Sequence, residues 1–164
     1  MDTFKYKHTP EDADSLAVEL IPSNLLTDLG DANWKTRLTA LEELHTWIED
    51  VVHEVDAEVV IRALGKRGWS EKNFQVNSRY VVVVNPPDPV QVLAKLYGIL
   101  SLLAERSPSF GRSCPALCVA HLSEKLGDMK LKKPAGDTLL IFAEKTSLQF
   151  ILCQGPFFFS AIMI

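Results

Sequence analysis

Hydrophobic positions recur at steps of three and four over most of this chain. The clearest run is Trp34, Leu38, Leu41, Leu44, Ile48, Val51 and Val55, one apolar stripe along a helix over residues 34–55. Asp31 is a suitable N-cap for that helix. Just before it, Ser23 is expected to cap a short helical stretch, Asn24 to Leu29, that stops at Gly30. A second helix is predicted over residues 56–66, with Val59, Val60, Ala63 and Leu64 on its apolar side and Gly65 and Gly68 at its end. Helical spacing returns at Val92, Leu93, Leu96, Tyr97, Leu100 and Leu103. A further helix begins near Ser113, with Pro115 in its first turn, where a missing N–H does no harm, and ends at Gly127. The last is predicted from Pro134 through Leu139, Leu140 and Ala143 to Phe150.

Three segments depart from this pattern. Residues 1–22 are polar and punctuated by Pro10 and Pro22, which reads as an N-terminal arm or linker. Residues 77–91, NSRYVVVVNPPDPVQ, set a β-branched run beside Pro86, Pro87 and Pro89, which a helix interior excludes. Residues 151–164 form an apolar tail, but Gln154 and Gly155-Pro156 interrupt it, and a membrane helix wants roughly 20 unbroken apolar residues. The domain proper is therefore expected over residues 23–150, with 77–91 as an insert and no membrane association.

The predicted fold class is all-α, an α-solenoid of HEAT-like helix pairs joined by short turns. An internal repeat supports it: LGDANWK at residues 29–35 and LGDMKLK at residues 126–132 each place Leu-Gly-Asp at a helix end and Lys just inside the next helix. Their separation, less the insert, is about 81 residues, close to twice the roughly 40–47-residue HEAT period. That spacing gives about three repeats.

Composition narrows the function. At 47% hydrophobic and 23% charged the chain is globular, and a net charge of −4 argues against a nucleic-acid partner. Three cysteines, an odd and sparse set, fit free thiols better than a disulfide framework, and the N-terminus has no secretory pattern. Cys114, Cys118 and His121 fall at i, i+4 and i+7, but no fourth zinc ligand stands at suitable spacing, so no metal is expected. His45 and His53 sit among Glu42, Glu49 and Glu54 on a polar helix side, a surface arrangement. No phosphate loop or nucleophile elbow is present. The expectation is a non-enzyme without cofactors.

In a HEAT array the turns inside the helix pairs line up along one edge. Here those turns gather basic residues: Asn33, Trp34, Lys35 and Arg37 in the first; Lys66, Arg67, Trp69, Lys72 and Asn73 in the second; Lys130, Lys132 and Lys133 in the third. Such an edge suits an acidic partner surface, with Trp as a large contact and Lys and Arg steering. Trp34 lies on the stripe of its own helix, so core and contact are both open to it.

The segment LGDANWKTRLTALEEL, with its Trp-Lys-x-Arg element at residues 34–37, resembles the opening of a TOG domain of the microtubule polymerase family. VIRALGKRGWSEKNFQV and LSEKLGDMKLKK resemble later parts of that domain, most closely the third TOG domain of the animal arrays. The resemblance covers about residues 16–76 and 92–150. It implies binding of αβ-tubulin, mainly on the β-tubulin side, through Trp34, Lys35 and Arg37, with Lys72 and Asn73 in the second loop and Lys130, Lys132 and Lys133 in the third. It also implies a place in the cytoplasm on microtubules, the spindle and the centrosome. A full TOG domain runs to about six repeats of this size, so the chain matches part of one. Residues 77–91 have no counterpart in the family; together with the off-pattern ending GPFFFSAIMI, this points to an alternative or incompletely spliced product, or to an imperfect gene model. The competing reading is a generic HEAT scaffold that does not bind tubulin and uses its concave face.

Overall fold

The computed structural model describes residues 4–67 and 89–154. Eight helices stand among them: α1 (Pro10–Leu20), α2 (Ser23–Leu29), α3 (Trp34–Val51), α4 (Ala57–Arg67), α5 (Pro89–Arg106), α6 (Ser113–Lys125), α7 (Lys132–Lys145) and α8 (Leu148–Leu152). No strand occurs among the described residues, in keeping with the all-α solenoid expected.

The helices form two layers. One holds α3, α5 and α7 side by side; the other holds α1, α4, α6 and α8. Within a pair, α6 packs on α7 and α2 on α3. Buried side chains run continuously between the layers, from Leu29, Leu41 and Ile48 through Ile61, Leu64 and Leu100 to Phe142 and Ile151. Helices such as α3 bury one stripe, whereas α4 is buried at nearly every position from Ala57 to Leu64, so no pair could hold its apolar surface away from water alone.

Bonds between connections fix the direction of the layers. Ser109 Oγ, in the α5–α6 connection, donates to the Val55 carbonyl at 3.1 Å and accepts from the Ala57 N–H at 2.9 Å in the α3–α4 connection. Phe110 lies 5.3 Å from Phe142 near the end of α7. The C-termini of α3, α5 and α7 therefore share one edge, and their N-termini share the other. The turns at residues 30–33 and 126–131 lie on that second edge.

Several predicted boundaries move. Residues 10–20, expected as arm, form α1: Thr9 accepts from the Asp12 N–H at 3.1 Å and Pro10 takes the first position. Pro22, without a side-chain bond, stands at the N-cap of α2, and Ser23 is already helical. Asn33, not Asp31, caps α3, accepting from the Lys35 N–H at 3.0 Å. The stripe of residues 34–55 is helical only to Val51; Val55 stays buried beyond the helix end. Gly65 lies inside α4, which runs to Arg67. The helix predicted to Phe150 breaks at Thr146 and Ser147 into α7 and α8, because Ser147 is extended and caps a new helix through the Phe150 N–H at 3.0 Å. Residues 89–91, placed in the insert, open α5 with Pro89 in its first turn, where proline is tolerated. Residues 77–88, including the YVVVV run, lie outside the described residues.

No helix among the described residues is long and apolar enough to cross a membrane.

Candidate functional site

The first intra-pair turn is built from a few bonds. Gly30 and Asp31 donate backbone N–H groups to the Thr27 and Asp28 carbonyls, both at 3.1 Å, which closes α2. Asp31 then accepts from the Asn33 N–H at 2.6 Å, and Asn33 caps α3. Arg37 folds back one turn: its Nη1 donates to the carbonyls of Asp31 at 2.7 Å and Ala32 at 3.1 Å. Those carbonyls have no helical partner, so the guanidinium supplies one. Arg37 thus holds the turn rather than projecting freely.

Trp34 begins α3 and is half-buried, one side packed on the core and the rest open at the edge. The Lys35 ammonium stands 5.9 Å from its ring centroid, within cation–π reach. Trp34 is therefore partly core, with one face left open at the edge.

The third turn repeats this construction. Gly127 and Asp128 donate to the Glu124 and Lys125 carbonyls, at 3.4 and 3.1 Å. Asp128 Oδ1 accepts from the Lys130 N–H at 2.8 Å and the Leu131 N–H at 3.1 Å. A Cβ on Gly30 or on Gly127 would sit 3.7 Å from the carbonyl three residues before it, so the two glycines occupy matching places. The Leu-Gly-Asp repeat in sequence is thus a repeat in structure. Lys130, Lys132 and Lys133 are exposed, with Lys133 Nζ 2.8 Å from Asp137. On the same edge, Lys66 and Arg67 close α4, and both reach Asp14 of α1, at 2.7 and 3.4 Å. Of the residues predicted for the site, Trp34, Lys35, Arg37, Lys130, Lys132 and Lys133 stand on this edge; Lys72 and Asn73, with Trp69, lie outside the described residues.

The other candidate chemistry resolves into packing. Cys114 and Cys118 are buried, and burial pushes the Cys114 thiol up to about 11 and raises Cys118 as well. His121 Nε2 is 2.8 Å from the Tyr97 hydroxyl. No group of three or more His, Cys, Asp or Glu side chains among the described residues could hold a metal ion. His45 is half-buried and lies 3.8 Å from Glu49. Burial, then the Lys95 charge, lowers its pKa against the opposing pull of Glu49.

Stacked helix pairs with their intra-pair turns on one edge make a HEAT-like solenoid. No family model matches the chain. It is similar to Protein mini spindles of Drosophila melanogaster, 30% identical over 148 residues, a match covering 88% of this chain and 6% of that protein. It is 26% identical over 143 residues to Protein MOR1 of Oryza sativa subsp. japonica, covering 86% of this chain and 6% of that protein. The solved structure of Drosophila melanogaster Mini spindles TOG3 matches with a TM-score of 0.59 and 27% identity, over 81% of this chain and 53% of that one. The chain is homologous to these proteins over the matched stretch, and its fold is that of a TOG domain resembling the third of the animal array. It spans about 6% of the length of the curated relatives.

Proposed function

We propose that this chain is a non-catalytic tubulin-binding module of a microtubule-associated regulator, docking αβ-tubulin, mainly its β subunit, through the edge that carries residues 30–37 and 126–133. The observation that carries the reading is the first turn: a half-exposed Trp34 with Lys35 beside it, on a backbone pinned by Arg37, in a chain homologous to a TOG domain. Trp34 supplies contact area at small conformational cost, and the lysines of both turns supply steering toward an acidic surface. Lys72 and Asn73 are proposed as the second-loop contacts. In the cell such a module belongs on microtubules and the spindle, with the centrosome as a further site. Where several modules are linked, they concentrate tubulin by avidity; one alone binds without polymerising.

The test is co-migration of the purified chain with αβ-tubulin on size exclusion. The reading expects a shared peak that dissociates as salt is raised. No shared peak at micromolar concentrations would leave the generic helical scaffold as the better account.

A further inference from the structure

The two Leu-Gly-Asp turns align residue by residue, and the alignment shows where they differ. Trp34 of the first turn corresponds to Leu131 of the third, and Lys35 corresponds to Lys132. Leu131 is 1% exposed and belongs to the core, so the third turn presents nothing apolar at the tryptophan's position. Its apolar side chain stands two residues earlier, at Met129, which corresponds to Ala32 and is 97% exposed. A lone exposed apolar residue ordinarily calls for no explanation. Met129 differs because it tips a turn built like that of Trp34, on the same edge, between Asp128, whose carboxylate is turned onto the Lys130 and Leu131 N–H groups, and exposed Lys130, with exposed Lys132 just beyond.

We propose that Met129 is the apolar anchor of the third turn, taking the part that Trp34 has in the first, because the equivalent position here is Leu131, which is buried in the core. The inference rests on the tubulin reading and adds a contact to it. The partner surface that fits is acidic with a small apolar depression: the lysines match the charge, and the unbranched, adaptable thioether fills the depression. The occupant is αβ-tubulin, whose contact begins at Trp34 and would continue along the edge to residues 129–132.

The experiment measures tubulin affinity and melting temperature for the full chain and for Met129→Gln, Met129→Leu and Trp34→Ala. Met129→Gln keeps the length and removes the apolar character. It should weaken binding roughly 5- to 10-fold, as loss of a secondary interface anchor does, and leave melting unchanged because the side chain is in solvent. Met129→Leu should bind as the parent does. If Met129→Gln binds like the parent while Trp34→Ala loses affinity, the Met129 contact is wrong and the tubulin reading stands. If Met129→Leu is as weak as Met129→Gln, an apolar anchor is also the wrong description. If the parent chain itself does not bind tubulin, both fall.

Discussion

The core packing of Trp34 and the tubulin contact proposed for it separate by measurement. Its inner side packs on the core beside Leu38, and its outer side faces the edge. Trp34→Ala should lower stability by about 1 kcal/mol for the half that is buried and weaken tubulin binding by roughly 2 kcal/mol or more, the loss typical of a central anchor. A drop in melting temperature with unchanged affinity would reassign the residue to the core alone. Arg37→Ala should act differently from Lys35→Ala. Removing Arg37 frees the Asp31 and Ala32 carbonyls and loosens the turn, so faster amide exchange at residues 30–34 is expected alongside weaker binding. Removing Lys35 should change mainly the association rate and its salt dependence. The cysteines give a further check. Cys153 is exposed, and Cys114 and Cys118 are buried with raised thiol pKa values. At pH 8 a thiol reagent should modify Cys153 quickly and the other two only on unfolding, so Cys153→Ser should abolish the fast phase.

At the scale of the element, α4 is the junction of the structure. Glu58 is fully buried and is held by the Lys7 N–H at 2.9 Å, by Ser113 Oγ at 3.5 Å and by Arg62 at 3.4 Å. Arg62 in turn donates to the His8 carbonyl at 3.2 Å and stacks 4.9 Å from the Tyr6 ring. Residues 4–9 thus run over α4 toward Phe150, whose ring is 5.6 Å from Phe4. Glu58→Ala should destabilise the chain by about 1–3 kcal/mol, the loss expected for a buried charge-assisted hydrogen-bond acceptor, visible in chemical unfolding. The helix α1 that accompanies this strap was not legible as a stripe, and the reason is specific. Its buried residues are Ala13 and Ala17, small side chains that let α1 approach α4 closely, whereas Val18 is 60% exposed and Leu16 partly so. Bulk and burial are inverted there, and a hydrophobicity reading follows bulk. A local signal was present in Thr9-Pro10-Glu11-Asp12, a cap followed by proline and acids in the first turn. By contrast α3, α5 and α6 were legible because Leu, Ile and Val at three- and four-residue steps do face the core.

On the scale of the whole molecule, the legible part was the architecture and the edge. The Leu-Gly-Asp repeat predicted two equivalent turns, and the structure gives them matching hydrogen bonds on one side of the stack. What stayed hidden was which basic groups are already committed. Arg37 binds its own turn, Lys133 reaches Asp137, and Lys66 and Arg67 both reach Asp14. Those pairings join residues within one turn, four apart, or more than fifty apart, and periodicity does not rank them. The stack also carries an acid-sensitive clasp between the strap and α4. Burial would raise the Asp56 carboxyl, but the 3.0 Å contact with His8, the Lys7 charge and the Glu58 N–H outweigh it, leaving it below its ordinary value near 3.8. A carboxylate with a depressed pKa stabilises the fold above its unfolded value, and that contribution is lost as pH falls through the folded value. Melting temperature should therefore fall below about pH 4, and Asp56→Asn, which keeps an oxygen for the Glu58 N–H, should flatten part of that fall.

The central claim is that tubulin meets this solenoid on the intra-pair edge, and site-specific photocrosslinking tests it most directly. A p-benzoylphenylalanine replaces Trp34 in one protein and His53 in another; His53 is exposed in the α3–α4 connection on the opposite edge. Each is mixed with soluble αβ-tubulin and irradiated. The account predicts an adduct with β-tubulin from position 34 and none from position 53. Adducts from position 53 alone, or equal adducts from both, would contradict it.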